Sequence, residues 1–194
     1  MTKVLILGAA GSLARVATRY LLDNSDARLT LYLRQANRLT PQHSSRVRII
    51  EGDLLDTRSL EDAMAGQDIV YANLAGELKK QAHSVVQAMQ ATGVKRLIFI
   101  SSMGIYDEVP GKSHGDILKP YRESAAVIED SGLDYTLIRP AWFTNSSEVD
   151  YALTHKGDVF RGSSVSRLSI ADLINRLVTS PDLYLRESLG IARR

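Results

Sequence analysis

Val4-Leu-Ile-Leu-Gly8-Ala-Ala-Gly11-Ser-Leu-Ala14-Arg-Val-Ala-Thr-Arg-Tyr-Leu-Leu22 is the stretch whose reading decides the fold. Val4 to Leu7 is a short continuous apolar run, the pattern of a strand buried on both faces of a parallel sheet. Gly8 to Ser12 is a turn of small residues. Leu13, Val16, Ala17, Tyr20 and Leu21 then recur at helical spacing. The unit is strand, glycine turn, helix. Backbone N–H groups at such a helix start lack intrahelical partners and carry partial positive charge, so they suit a pyrophosphate. Gly8 turns the chain, Gly11 leaves room for the phosphates, and the small Ala14 lets the helix pack close to the sheet. The spacing is G-x-x-G-x-x-A rather than the G-x-G-x-x-G of the usual dinucleotide fingerprint.

Working outward, the pattern repeats. Arg28–Leu33 reads as the second strand, with Arg34 at its end and Arg38 four residues on. In a doubly wound sheet this is the place of the adenosine ribose. An acidic residue there favours NAD, whereas an arginine offers a planar charged fork to a 2′-phosphate; the alternative is a solvated surface arginine. Val47–Ile50 is a short third strand, followed by Gly52-Asp53-Leu54-Leu55-Asp56. Asp53 can accept from an adenine amino group with Leu54 on the ring, or it can simply stabilise a turn. Asp56 is the better helix cap for the segment from Thr57. Asp68–Ala72 is the fourth strand and ends in Asn73-Leu74-Ala75-Gly76, where small residues let a cofactor approach the backbone.

Glu77–Thr92 reads as a helix closed by Gly93, with His83 at its solvated edge. Val94–Ile100 is the fifth strand, running into Ser101-Ser102-Met-Gly104. Residues 107–120 form a polar loop, either a flap or a surface connector. Tyr121–Ser131 reads as helical and Asp134–Ile138 as the sixth strand, from which Pro140 is expected to turn the chain away. Trp142 and Phe143 either line a pocket for nicotinamide and substrate or plug the core. Residues 144–165 read as irregular and are assigned to a small substrate lobe. The helix from Ser169 is capped by Ser169 itself, with Asp172 at its third position, and 187–192 reads as a last strand.

This alternation predicts one α/β domain over residues 1–194, a Rossmann-type doubly wound parallel sheet with a small C-terminal lobe. Ligands of such sheets bind beyond the carboxyl ends of the strands, where Gly8, Arg34, Asp53, Asn73 and Ser101 all fall.

Composition sets bounds. The 194 residues suffice for a full core, and a net charge of +2 with scattered basic residues implies no attraction to nucleic acid. With no cysteine there are no disulfides, thiolate metal sites or cysteine nucleophiles, and no metal site is expected. Neither a signal peptide nor a membrane span is read, so a cytoplasmic monomer or homodimer is expected.

The motifs Gly8-Ala-Ala-Gly11-Ser-Leu-Ala14, Arg34, Gly52-Asp53-Leu54, Ala72-Asn-Leu-Ala-Gly76, Ser101-Ser102 and Leu133-Asp-Tyr-Thr-Leu-Ile-Arg139-Pro140 occur in that order. The chain resembles the atypical short-chain dehydrogenase/reductases, in the NAD(P)H-binding group similar to NmrA-like proteins and flavin/biliverdin reductases. The resemblance implies that Gly8, Ala10, Gly11, Ser12 and Leu13 hold the pyrophosphate. Arg34 then selects NADP(H) over NAD(H), and Asp53 and Leu54 meet adenine. Ala75 and Gly76 pass the ribose and Ser101 sits near the nicotinamide; Asn73, Leu74, Pro140, Trp142 and Phe143 are the further candidate cofactor contacts.

The chain departs from that family in its proton-transfer residues. Full short-chain dehydrogenases carry a Tyr-x-x-x-Lys pair, whose lysine lowers the phenol pKa. Counting back from Thr136 puts the lysine slot near Tyr121 and the tyrosine slot near Ile117, and no Tyr-x-x-x-Lys occurs anywhere. Arg122 adjoins Tyr121, but neighbouring helix residues do not face each other. Ser101, Ser102 and Tyr121 are therefore the candidate catalytic residues. Two functions stand: a reductase of a small carbonyl, quinone or flavin-type acceptor that takes its proton from solvent, or a sensor that binds NADP(H) without turnover.

Overall fold

The computed structural model describes residues 1–194. The apolar run Lys3–Leu7 forms β1, and Ser12–Asn24 forms α1. β2 (Arg28–Leu33) and β3 (Val47–Glu51) are joined by a loop with one 3-10 turn at Ala36–Arg38. Next come α2 (Thr57–Met64), β4 (Ile69–Ala72), α3 (Leu78–Thr92) and β5 (Arg96–Ile100). A 3-10 turn at Gly115–Leu118 leads into α4 (Lys119–Glu129), then β6 (Asp134–Pro140) and β7 (Trp142–Thr144). The chain finishes with β8 (Ala152–His155), β9 (Ser164–Ser166), α5 (Arg167–Thr179) and β10 (Glu187–Ala192).

Eight strands make one sheet in the order β3-β2-β1-β4-β5-β6-β10-β8. All neighbours are parallel except β8, which runs antiparallel along β10. The order reverses between β1 and β4, the switch point at which a crevice opens beyond the strand ends. Each face of the sheet carries its own core. Val4 and Ile6 point with Leu29 and Leu31 into a cluster covered by α1 and α5. Leu5, Leu7, Val70 and Leu97 point the other way, under α2, α3 and α4. This two-sided burial is why the strands read as unbroken apolar runs.

Three sequence expectations change. Residues 144–165 are only partly irregular: β7 and β9, at the ends of this segment, form a separate two-stranded parallel sheet, and β8 joins the main one. The partner of β8 is β10, more than thirty residues downstream, a pairing no local pattern reveals. Pro140 does not leave the sheet. It ends β6 opposite Ile191, and Ala141 donates to the Ile191 carbonyl in its stead. α5 starts earlier than expected and is capped by Ser166, whose hydroxyl accepts from the Ser169 amide at 2.9 Å; Ser169 is the third helical residue. Asp56 caps α2 as expected, accepting from Ser59 N–H at 3.1 Å, and these hydrogen bonds hold its carboxyl below the usual aspartate range. No helix is long and apolar enough to cross a membrane.

Candidate functional site at the strand ends

β1 ends at the sheet's switch point, and Gly8 there has φ +74°. A Cβ at this position would lie 2.0 Å from the Asn73 carbonyl oxygen, so the turn after β1 and the loop after β4 touch backbone to backbone. Gly11 is required for a reason the sequence does not show: a Cβ there would meet the Asn73 side-chain amide at 2.4 Å. Gly11 precedes α1 with extended backbone and gives no side-chain cap. The amides of Ser12, Leu13 and Ala14 consequently have no acceptor in the chain; the first helical bond runs from Arg15 to the Gly11 carbonyl. The Leu13 side chain is buried in the core, so Leu13 offers the site only its amide. The Ala10 carbonyl is taken by Arg15 Nε at 2.8 Å.

The same Arg15 reaches the loop after β2, donating from Nη2 to the Arg38 carbonyl at 2.6 Å. It ties the Arg34–Arg38 segment to the glycine turn. Arg34 is exposed and makes no hydrogen bond or ion pair. Across the β2–β3 edge, Tyr32 Oη donates to the Asp53 carbonyl at 2.9 Å and fixes the loop after β3. One Asp53 oxygen accepts from Leu55 N–H at 2.9 Å in a local turn, while the residue itself is exposed. The turn is realised, and the second carboxylate oxygen makes no hydrogen bond in the chain. Leu54 and Leu74 are half-buried and pack on the α2–α4 core; Ala75 and Gly76 are exposed.

Beyond β5 the chain is clamped to β6. Ser101 N–H donates to the Ile138 carbonyl at 2.7 Å and Met103 N–H to the Pro140 carbonyl at 3.2 Å. Ser101 is 5% exposed and its hydroxyl has no partner in the chain. A buried hydroxyl without a partner is costly, so this oxygen at the end of β5 has an unmet hydrogen-bonding need. Ser102 differs, for its hydroxyl already donates to the Met103 carbonyl at 2.9 Å. Tyr121 is half-buried against the α2–α4 core in the first turn of α4 and makes no hydrogen bond to either serine. Arg122 is held elsewhere, by the Ile105 and Gly115 carbonyls and by Asp107 at 3.0 Å. Ile117 is fully on the surface, and Lys119 faces Glu123 at 4.0 Å.

The loop carrying Ser101 and Met103 has a buried strut that sequence reasoning missed. Glu108 accepts from Gly104 N–H and from Tyr106 N–H (2.9 Å), and Arg139 Nη1 lies 3.5 Å away. Arg139 also donates to Ser188 Oγ at 2.9 Å and lies 5.0 Å over the Tyr106 ring. Burial alone pushes the Arg139 pKa down, with Glu108 opposing it. Trp142 and Phe143 are not core plugs: they are 67% and 40% exposed on β7. The second missed residue is Arg167, at the start of α5. It donates from Nε to Ser12 Oγ at 3.1 Å and from Nη1 to Asn145 Oδ1 at 2.9 Å, and it stacks 5.0 Å over Phe143. Its one sequence signal is an arginine beside a capping serine.

Three free amides at the start of α1, a glycine turn after β1 and an orphaned hydroxyl at the end of β5, two strands away, fit an anionic dinucleotide laid across the strand ends. Comparison with known proteins gives the family and the fold. The sequence model of the NAD(P)H-binding family matches residues 8–181. A Rossmann-fold NAD(P)-binding family protein from Shigella flexneri is 44% identical, with a TM-score of 0.90 over 100% of this chain and 94% of that one. A short-chain dehydrogenase/reductase from Veillonella parvula, solved in complex with NADP, is 30% identical, with a TM-score of 0.91 over 99% of this chain and 94% of that one. A curated relative, the (4-alkanoyl-5-oxo-2,5-dihydrofuran-3-yl)methyl phosphate reductase of Streptomyces griseus, is 28% identical over 74% of this chain and 49% of its own length. The chain spans about half the length of the curated relatives it matches. With its mostly parallel sheet and its glycine turn at the switch point, the chain belongs to the NAD(P)H-binding family of Rossmann-fold proteins.

Proposed function

We propose that the protein is an NADPH-dependent reductase of a small planar acceptor: a carbonyl, a quinone or a flavin-type ring. The observation that carries this reading is the buried, unpartnered hydroxyl of Ser101 at the end of β5, on the same side of the switch point as β4 and two strands from β1, whose turn leads to the free amides of α1. The reductase named among its relatives supports the reaction class. Ser12, Leu13 and Ala14 hold the pyrophosphate through their amides. Arg34 holds the 2′-phosphate by charge and fork geometry, which favours NADPH over NADH. Asp53 and Leu54 receive adenine, and Ala75 and Gly76 leave room for the ribose. NADPH, when bound, supplies the hydride. Ser101 orients the acceptor by donating its hydroxyl proton in a hydrogen bond, Trp142 and Phe143 cover the apolar face, and water supplies the transferred proton. Ser102 serves the loop's own backbone and is secondary to Ser101.

A second reading, a binding protein without turnover, rests on the separation of Tyr121 from both serines and on the engagement of Arg122 elsewhere. One experiment separates the two. NADPH, NADP⁺ and NADH are titrated into wild type and Arg34→Ala, and loss of nicotinamide absorbance is then followed with a panel of quinones, flavins and enones. The reductase reading expects a preference for the phosphorylated cofactor that falls about ten- to a hundredfold in Arg34→Ala, and turnover that Ser101→Ala reduces. Binding with silence across the panel supports the sensor. Absence of binding by any nicotinamide removes both.

A further inference from the structure

Arg167 occupies a position that the chain alone does not explain. It is the first residue of α5, where a cation meets the positive end of a helix dipole. No carboxylate lies within ion-pair distance; its partners are neutral, the Ser12 hydroxyl at 3.1 Å and the Asn145 side-chain oxygen at 2.9 Å. The guanidinium plane is braced over Phe143 at 5.0 Å. Nearby cations do have acidic partners: Arg193 pairs with Glu148 at 3.1 Å. Ser12 carries the first of the three free amides of α1, so the guanidinium is one hydroxyl away from them. Its Nη2 makes no hydrogen bond in the chain. A preorganised, half-buried fork with a free N–H, no counter-ion and an unfavourable helix end gains most from an anion delivered to that point.

We infer that Arg167 is a pyrophosphate-binding residue, supplied by the C-terminal part of the chain to the cofactor that the N-terminal turn holds. This rests on the nicotinamide-dinucleotide reading above. Asn145 and Phe143 hold the guanidinium in place while Nε turns from the Ser12 hydroxyl and, with the free Nη2, donates to the phosphate oxygens. The contact bridges α1 to the β7–α5 segment, so cofactor binding and the rim that carries Trp142 are linked through one side chain.

The test compares three ligands on wild type, Arg167→Ala and Arg167→Gln: NADP⁺, 2′-phospho-ADP-ribose, which keeps the pyrophosphate but lacks nicotinamide, and 2′-AMP, which lacks the pyrophosphate. Affinity is read by calorimetric titration, with 2′-AMP also reporting that each variant has a folded adenosine site. Both variants are expected to lose about ten- to a hundredfold for NADP⁺ and 2′-phospho-ADP-ribose, with 2′-AMP unchanged within about twofold. An equal loss on all three ligands would mean a diffuse charge or folding effect and would overturn the inference. So would unchanged affinity on all three, while the dinucleotide reading survived. Wild type that binds none of them would overturn the inference and that reading together.

Discussion

Replacing Glu108 by glutamine is the sharpest test of how this site is held. The carboxylate is 5% exposed, its partner Arg139 is 1% exposed, and their charged atoms are 3.5 Å apart. At an effective dielectric of about 20, two charges at that distance attract by roughly 5 kcal/mol, most of it offset by desolvation. Removing one partner is different, because the other charge stays buried: such deletions cost about 3–5 kcal/mol. Glutamine keeps the shape and one acceptor, so one of the Gly104 and Tyr106 amides retains its bond while the other faces an NH₂ group. Arg139 keeps Ser188 and the Tyr106 ring. The expected loss is therefore at the lower end, about 3 kcal/mol. Urea unfolding followed by far-UV circular dichroism measures it, with an unchanged m-value as the sign that the denatured state is the same. The double variant with Arg139→Met, which removes both charges, should recover at least about 1 kcal/mol relative to the sum of the single losses. A single-variant loss below about 1 kcal/mol, or additive single losses, would refute the claim that this pair is the strut of the Ser101 loop.

Three further outcomes are expected. Gly8→Ala forces a side chain into φ +74° and against the Asn73 carbonyl. It should cost about 2–4 kcal/mol and eliminate dinucleotide binding, as thermal unfolding and titration would read. Ser166→Ala removes the cap of α5 and a bond to the Glu148 carbonyl at 2.7 Å; a loss of about 1–2 kcal/mol in urea unfolding is expected. Burial pushes the Tyr20 and Tyr32 phenols up to about 12, Tyr20 also through its bond to Asp172 at 2.8 Å. The unfolded chain ionises near 10 and the folded one near 12, so between these values the unfolded state binds fewer protons. Their stabilisation is whole below pH ~10 and is lost as pH rises toward ~12. Tyr20→Phe should flatten the alkaline limb of a pH–stability curve, and an unaltered slope would contradict the assigned burial effect.

Much of this protein was legible in its residues. The apolar runs of β1, β4 and β5 are unbroken because helices cover both sheet faces, and that burial pattern is written locally. The glycine turn, the cap at Asp56 and the strand-end positions of Arg34, Asp53, Asn73 and Ser101 follow from short-range rules. Local pattern alone places the cap of α5 three residues too late, because two serines, Ser166 and Ser169, satisfy the same rule. Only the packed chain brings them together, with Ser166 Oγ receiving the Ser169 amide while Ser169 turns to the Asp150 amide.

What the sequence alone determined is the grammar of strand, turn and helix, because hydrophobic period and backbone chemistry act over a few residues. Tertiary structure decided the rest. It set β8 against β10, buried Arg139 against Glu108, left the Ser101 hydroxyl without a partner, and brought Arg167 to Ser12 across 155 residues of chain. Those contacts are chosen by which faces must be buried together, and no periodicity along the chain encodes that choice.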